Sequence, residues 1–316
     1  MSRCSAAGII SIIIPVLNEE KNIPVIIKEI KRCLVGEIFK IIFIDDGSTD
    51  ATLNVLRNFS LQYSWVHYIS LSRNFGHQNA IKAGLDHAHG SCVITMDGDM
   101  QHPPAIIPQM LERWRDGADV VHTRRAPEQG QSTFKKISSA YFYRCINACT
   151  SVPIEPGTAD FRLMSERVVN ICRSLKDDVL FWRGLIPWMG FRQEYLDYTP
   201  NSRIYGTSKY SLKKMCRLAW DGISSFSLLP LRLATIVGGI AFIFSLIYLI
   251  YVVCQAITGA TLSGWASLMS VALILGSIQL IFLGLLGEYV GKIYFSTKHH
   301  ALYFIKDSDI ALNRVK

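Results

Sequence analysis

A chain of 316 residues can hold one large domain or two modest ones, and its net charge of +8 raises the question of a nucleic-acid partner. No run of five or six lysines and arginines occurs, which argues against that partner, while half the residues are hydrophobic and the mean hydropathy is +0.24, too apolar for an ordinary soluble protein. The eight cysteines are scattered without a C-x-x-C or a histidine at zinc spacing, so they read as reduced structural residues.

The N-terminal Arg3 followed by the apolar run Ile9–Leu17 has the outline of a secretory leader. Pro15 interrupts that run and Asn18-Glu19-Glu20-Lys21 closes it with no small-residue cleavage site, so it reads as a first β-strand. Strands are expected over Ile9–Ile14, Lys40–Ile44, Val66–Leu71, Cys92–Met96 and Asp119–Thr123, with helices over Glu20–Leu34, Ala51–Tyr63, Gly76–Ala88 and Pro104–Asp116 between them. Continuous Ile, Val and Phe runs suit parallel strands covered on both faces, and the alternation of strand and helix indicates a doubly wound α/β sheet. Ligands of such sheets sit beyond the carboxyl ends of the strands. The polar clusters Pro15–Glu20, Asp45–Asp50, Arg73–His77 and Asp97–Gln101 all fall at such ends. Further on, Ser132–Cys149, Ser165–Leu175 and Asp178–Trp188 read as helical and Phe191–Tyr198 as a strand.

Asp97-Gly98-Asp99 is the sharpest local signal. Two carboxylates flanking a glycine at a strand end can hold Mg²⁺ or Mn²⁺ against a diphosphate, and they can equally be a tight Asp-Gly turn. Asp45-Asp46-Gly47-Ser48-Thr49-Asp50 ends another strand in paired acids. That segment could bind the base and ribose of a nucleotide or serve as a plain strand–turn–helix cap. Neither a dinucleotide fingerprint nor a P-loop is present.

From Leu233 to Gly287 there is no Asp, Glu, Lys or Arg, a run of 55 residues, and a membrane-crossing helix needs about 20. Two spans are expected, near 233–254 and 266–287, joined by the weakly polar Gln255–Gly264. Lys209, Lys213, Lys214, Arg217 and Arg232 precede the pair and Lys292, Lys298 and Lys306 follow it, which puts both ends in the cytoplasm. Ser211–Phe226 is amphipathic and is expected to lie along the membrane surface. The domain plan is thus a catalytic domain over 1–210, a surface helix over 211–232, a hairpin over 233–287 and a cytoplasmic tail over 288–316. Gly238, Gly239 and Gly276 would permit close helix approach in a homo-oligomer.

Taken together and in order, Ile14–Glu20, Asp45–Asp50, Arg73-Asn74-Phe75-Gly76-His77-Gln78, Asp97–Pro103, Thr158-Ala159-Asp160-Phe161-Arg162-Leu163, Phe181-Trp182-Arg183-Gly184 and Tyr205–Tyr210 resemble the family 2 glycosyltransferases of GT-A fold. The likeness is to the polyprenyl-phosphate branch, which includes dolichyl-phosphate mannose synthases and GtrB-type bactoprenol glucosyltransferases, and it spans essentially the whole chain. It implies a GT-A sheet, mostly parallel, followed by the interface helix and two transmembrane helices in a bacterial inner membrane. It also implies inverting transfer of a hexose, glucose from UDP-glucose as the first reading, to a polyprenyl phosphate such as undecaprenyl phosphate.

By the same resemblance Pro15, Leu17, Glu19 and Asp46 face the base and ribose, and Asp97 with Gly98 lies near the ribose and diphosphate. Asp99 holds the divalent cation, Mg²⁺ or Mn²⁺. Asp160 acts at the acceptor. Arg124, Lys135 and Ser138 hold the acceptor phosphate, and Arg203 and Lys209 flank a loop that closes over the donor. A phosphate monoester with a second pKa of about 6 is already a nucleophile at neutral pH. Asp160 is therefore expected to orient the acceptor or nearby cations more than to remove a proton. His77, His102 and the His299-His300 pair are given no role.

Other sugars on the same lipid (mannose, galactose, an N-acetylhexosamine, a modified pentose) stay open, as does a non-catalytic membrane assembly partner. A soluble-type transferase fits poorly with the surface helix and spans. A processive polysaccharide synthase would need a Q-x-x-R-W motif, which is absent.

Overall fold

The computed structural model describes residues 8–125, 157–175, 182–199, 229–257, 264–297 and 301–310. They divide into a catalytic-type α/β unit, to which residues 299–316 belong, and a separate helical unit drawn chiefly from residues 212–298.

In the α/β unit the elements run β1 (Ile10–Val16), α1 (Ile23–Cys33), β2 (Phe39–Asp45), α2 (Thr52–Gln62), β3 (Val66–Leu71), α3 (His77–His87) and β4 (Cys92–Thr95). A 3-10 turn at Pro104–Ile106 leads into α4 (Ile107–Arg115), then come β5 (Val120–Arg125), β6 (Thr158–Ser165), α5 (Glu166–Ser174), α6 (Trp182–Trp188) and β7 (Gln193–Tyr198). The described strands form one eight-stranded sheet in the order β7-β5-β6-β4-β1-β2-β3-β8, where β8 is Ile305–Ser308.

β1 is central, parallel to both β2 and β4, and all seven of its residues are buried. Successive side chains point to opposite faces, so Ile12 and Ile14 join Ile23, Ile26 and Ile30 of α1 on one side. Ile13 joins Ile42, Ile69 and the small residues Ala80 and Ala83 of α3 on the other. Each fully buried isoleucine contributes about 1.5–3 kcal/mol relative to exposure. The two-sided burial explains the continuous apolar runs.

Two features depart from the expected plan. The sheet is more mixed than "mostly parallel": β6 runs antiparallel between β4 and β5, although Thr158–Leu163 carries an acid and an arginine and was not read as a strand. The segment beyond the helical hairpin is also more than a tail. Ile305–Ser308 adds β8 antiparallel to the edge of β3, and Asp307 takes two hydrogen bonds from Arg57, at 2.6 and 3.0 Å. Covering an edge strand in this way removes a row of unpaired backbone groups from solvent.

The helical unit contains α7 (Leu229–Ile257, 29 residues) and α8 (Trp265–Thr297, 33 residues). Some of their side chains lie outside the described set, and among the described residues no helix is long and apolar enough to cross a membrane. The spans expected at 233–254 and 266–287 therefore rest on the sequence. Cβ atoms built at Gly238, Gly239 and Gly276 would meet nothing within 4 Å among the described residues. The expected helices Ser132–Cys149 and Ser211–Phe226 lie outside the described residues. Cys33, Cys92 and Cys172 form no disulfide, and burial pushes the Cys92 thiol up to about 12 and that of Cys172 to about 11, which keeps those two inert.

One packing point is directly testable. A Cβ at Gly84 on α3 would lie 2.3 Å from Cγ2 of Ile13 on β1, so the helix sits on the sheet at glycine distance. Gly84→Ala gains about 1 kcal/mol of helix propensity but overpacks the core at a cost of about 1–3 kcal/mol. Thermal unfolding is expected to show a lower midpoint for the variant; an equal or higher midpoint would refute this packing.

Candidate active site

The site assembles at the carboxyl ends of β1, β2, β3 and β4. Asp45 and Asp46 leave β2 in different directions. The Asp45 carboxylate accepts hydrogen bonds from the Ser70 hydroxyl (2.8 Å) and the Ser48 amide (3.0 Å) and so fixes the turn. Asp46 accepts from the backbone N–H groups of Phe75 (2.7 Å) and Gly76 (3.0 Å), one on each oxygen. Burial nevertheless raises the Asp46 carboxyl above its ordinary pKa, the two N–H groups and His77 pulling the other way. Gly47, at φ +72°, lets the 73–76 loop come this close: a Cβ there would lie 2.5 Å from the carbonyl carbon of Arg73.

The segment after β1 is laced to the same turn. Asn18, at φ 58°, receives the Thr49 amide on its side chain (2.8 Å) and donates its own amide to the Ser48 hydroxyl (2.9 Å). The Glu19 amide donates to the Thr52 hydroxyl (3.0 Å). Of the residues expected at the base and ribose, Pro15 and Asp46 are buried, whereas Leu17 and Glu19 are partly exposed at the rim.

Asp97-Gly98-Asp99 follows β4. Gly98 is required sterically, since a Cβ would meet Val16 Cγ1 at 2.7 Å and the Pro15 carbonyl oxygen at 3.1 Å. Asp99 closes the turn by accepting from the Gln101 amide at 3.1 Å, with Met100 at φ 62°. The tight-turn and ligand readings of this triplet thus coexist: the backbone turns, and the carboxylates of Asp97 and Asp99 stay partly exposed. Among the described residues no group of three or more His, Cys, Asp or Glu is arranged to hold a metal ion. The carboxylate set fits a hard cation of the Mg²⁺ or Mn²⁺ type, which takes one or two carboxylates and completes its shell with ligand phosphates.

Two histidines left without a role belong to this site. His102 is buried, stacks on Phe161 (centroids 5.1 Å apart), and accepts the Asp97 amide on Nδ1 (3.1 Å). That bond assigns the ring proton to Nε2, which faces an Asp97 carboxylate oxygen at 3.6 Å. Burial lowers the His102 pKa and keeps the ring neutral. His77, the first residue of α3, places Nε2 3.3 Å from Asp97 Oδ1 and 3.8 Å from Asp160 Oδ2, so one imidazole touches both carboxylates.

Asp160 lies within β6. Its Oδ1 accepts from Arg162 Nη2 (2.8 Å) and its Oδ2 from Arg183 Nε (3.1 Å) and Nη2 (2.8 Å). Arg162 is itself buried and also donates to the carbonyls of Trp182 (3.0 Å) and Ala159 (3.2 Å). Burial alone would raise the Asp160 carboxyl, but Arg183, Arg162 and His77 together hold it well below the usual carboxylate range. It is an anion at any working pH. The two motifs around it also meet, since the Trp182 amide and indole N–H both donate to Gln78, at 3.2 and 3.1 Å.

Arg124, expected at the acceptor phosphate, stands on β5 with its guanidinium on both oxygens of Asp197, at 2.6 and 3.1 Å. Its neighbour Arg125 leans instead toward the Asp97–Gln101 turn, donating to Gln101 Oε1 at 3.2 Å. Lys135, Ser138, Arg203 and Lys209 lie outside the described residues. The structure thus brings together Asp46, Asp97, Gly98, Asp99 and Asp160, and adds His77, His102 and Arg183. A signal for His77 and Arg183 existed in the sequence, because both sit inside the motifs Arg73–Gln78 and Phe181–Gly184.

With this geometry in place, the comparisons define the class: the sequence model of glycosyl transferase family 2 matches residues 11–172, and the chain belongs to that family. It is a glycosyltransferase. The model of the GtrB C-terminal hairpin matches residues 229–293, the span of α7 and most of α8. Relatives include the bactoprenol glucosyl transferase of Shigella phage SfV, 38% identical over 94% of this chain and 98% of that protein. An uncharacterized glycosyltransferase, YkcC, of Bacillus subtilis is 39% identical over 94% of this chain and 93% of its own. Among solved structures, glucosyl-3-phosphoglycerate synthase from Mycobacterium tuberculosis, in complex with Mn²⁺, UDP and phosphoglyceric acid, aligns with a TM-score of 0.44 at 18% identity. That alignment covers 68% of this chain and 76% of the other, a likeness too slight to bear on ligands.

Removing one member of a buried ion cluster leaves an uncompensated charge, at a cost of about 3–5 kcal/mol. Asp160→Asn is therefore expected to lower unfolding stability by about that amount at neutral pH. Because the folded pKa of Asp160 is depressed, its contribution is fully present above the ordinary value of 3.8 and is lost only as pH falls below it. Denaturant titrations of wild type and variant between pH 7 and pH 3 check this. Equal stability at neutral pH, or a gap that closes well above pH 4, would contradict it.

Proposed function

We propose that the protein transfers a hexose, glucose from UDP-glucose in the first instance, to the phosphate of a polyprenyl carrier with inversion at the anomeric carbon. The product is a polyprenyl monophosphate sugar. The observation that carries this reading is 38% identity to a bactoprenol glucosyl transferase along 94% of the chain, hairpin included.

In this reading the donor lies over the ends of β1, β2 and β4. Pro15, Leu17 and Glu19 line the base and ribose, Asp46 holds the loop that walls them, and Asp97 and Gly98 lie beneath the ribose and diphosphate. Mg²⁺ or Mn²⁺ held by Asp99 supplies charge stabilisation to the departing diphosphate when bound. Arg203 and Lys209 add positive charge on the same side. Arg124, Lys135 and Ser138 receive the acceptor phosphate, with Arg124 oriented by Asp197.

The acceptor, a dianion above a pKa of about 6, attacks without surrendering a proton. Asp160 then has no proton to take. Its carboxylate is already engaged by Arg162 and Arg183, which suits an anchor for cations beside the reacting phosphate. His77 stands between the donor carboxylate Asp97 and this anchor, nearer to Asp97.

We further propose that 233–254 and 266–287 cross the membrane, with the α/β unit and both termini cytoplasmic. Support comes from the 55-residue stretch without charge and from the basic residues on both its flanks. The hairpin would keep the site near a lipid whose phosphate is at the membrane surface.

Transfer of labelled sugar from a panel of UDP- and GDP-sugars to undecaprenyl phosphate in detergent tests the proposal. One donor, expected to be UDP-glucose, should give an organic-extractable product that disappears in EDTA. Asp99→Ala should lower the rate by about 100-fold or more. No lipid product from any donor, with a folded protein that binds UDP, would refute it.

A further inference from the structure

The segment that follows the hairpin does more than cover a sheet edge. It begins at residue 301, just after α8 ends at Thr297, and it lies on the loop that builds the donor site. The Phe304 carbonyl accepts the Ser72 amide at 2.8 Å, and Ile305 pairs with Leu71 at the last rung of β3, so the segment grips the chain where it leaves the strand. The Phe304 ring meets Phe75 (centroids 6.1 Å apart), which also carries the Arg73 guanidinium 4.3 Å from its ring centre and packs against the buried cluster that includes Ile44, Leu71 and Ala80. Tyr303 donates its hydroxyl to Asp86 at 2.9 Å, and Asp86 also holds Lys82, so α3, the helix that the same loop leads into, is pinned near its far end. Asp307 and Asp309 fasten the far end to Arg57, Tyr68 and His67.

What the loop carries makes the grip consequential. Phe75 and Gly76 present their N–H groups to Asp46, and His77 spans Asp97 and Asp160. Asp46 thus takes both its amide partners from this loop and Asp97 has the loop's His77 beside it, while Asp160 is fixed separately by Arg162 and Arg183. Gly47 offers the loop no side chain to lean on. Phe304 is 60% exposed, too exposed to be a core residue, yet an aromatic at this position contacts the one aromatic of the loop. An edge strand needs only backbone to pair; the ring has no part in that.

We propose that residues 301–310 form a positioning strap for nucleotide-sugar binding, with Phe304 as its contact residue, holding the 73–77 loop in the conformation that receives the donor. The proposal rests on the reading of this cleft as a donor site. It predicts its effect on the donor, because the loop it holds supplies both amides on Asp46, whereas Asp160 on the acceptor side is fixed by Arg162 and Arg183.

The test is UDP-glucose binding by calorimetry with Mn²⁺ on the full-length protein in detergent, without lipid acceptor, for wild type, Phe304→Ala and Phe304→Tyr. Kinetic KM values for donor and acceptor are measured alongside. Loss of one aromatic contact is expected to weaken donor binding about two- to tenfold in Phe304→Ala, with near wild-type binding in Phe304→Tyr. Acceptor KM and unfolding midpoint should stay at wild-type values. Donor affinity unchanged in Phe304→Ala, an equal loss in both variants, or a matching rise in acceptor KM would overturn the strap. Wild type binding no UDP-sugar would instead bring down the donor-site reading itself, and the strap with it.

Discussion

The arrangement of this site depends on one buried carboxylate, Asp160, held between two arginines. A charge at that depth is tolerated only with full compensation, and here Arg162 comes from the same strand and Arg183 from the start of α6. Arg162 lies two residues beyond Asp160 on β6, and strand geometry puts the two side chains on the same face. To bring Arg183 to the carboxylate, α6 has to pack its Trp182 against Gln78 at the start of α3. His77, on the first turn of α3, then reaches Asp97. The ion cluster therefore ties the two halves of the sheet together at the end where ligands bind. Removing its charge would disturb geometry before it disturbed proton transfer.

A second constraint works through backbone rather than charge. Asp46 orders the 73–76 loop by receiving two amides, and the close approach this requires is possible only over a glycine at position 47. The loop is bound on its outer side by the chain returning from the hairpin. A catalytic unit of this family thus depends on residues at both ends of the sequence, with roughly 230 residues between Ser72 and Phe304, and no domain boundary drawn along the chain captures it.

Much of the fold was legible because physics writes it locally. The runs at 10–16, 39–45, 66–71 and 92–95 are largely buried on both faces and look it, and the acids at the end of the second and just past the fourth mark where strand gives way to site. Asp46, Asp97, Asp99 and Asp160 were all found this way or through motif order. The missed parts share one cause, dependence on distant partners. Thr158–Ser165 hides a strand because its second face, Asp160 and Arg162 alternating with Ala159, Phe161 and Leu163, is buried as a charge pair completed by Arg183 from another element. Ile305–Ser308 is short and half charged, and becomes a strand only because the edge of β3 is there to receive it. His77 sits inside the Arg73–Gln78 motif and His102 inside Asp97–Pro103, but a histidine within a motif shows no partner; their roles arise from where Asp97 lies in space.

The central claim, that Asp160 anchors cations and does not accept a proton, is tested most directly by the pH dependence of kcat/KM for transfer to the lipid acceptor in wild type and Arg183→Gln. An anchor leaves only the ionisation of the acceptor phosphate, so both proteins should lose activity below one apparent pKa of about 6, at different absolute rates. An acidic limb that moves upward in Arg183→Gln would mean that the carboxylate itself titrates in the reaction, and would contradict the account.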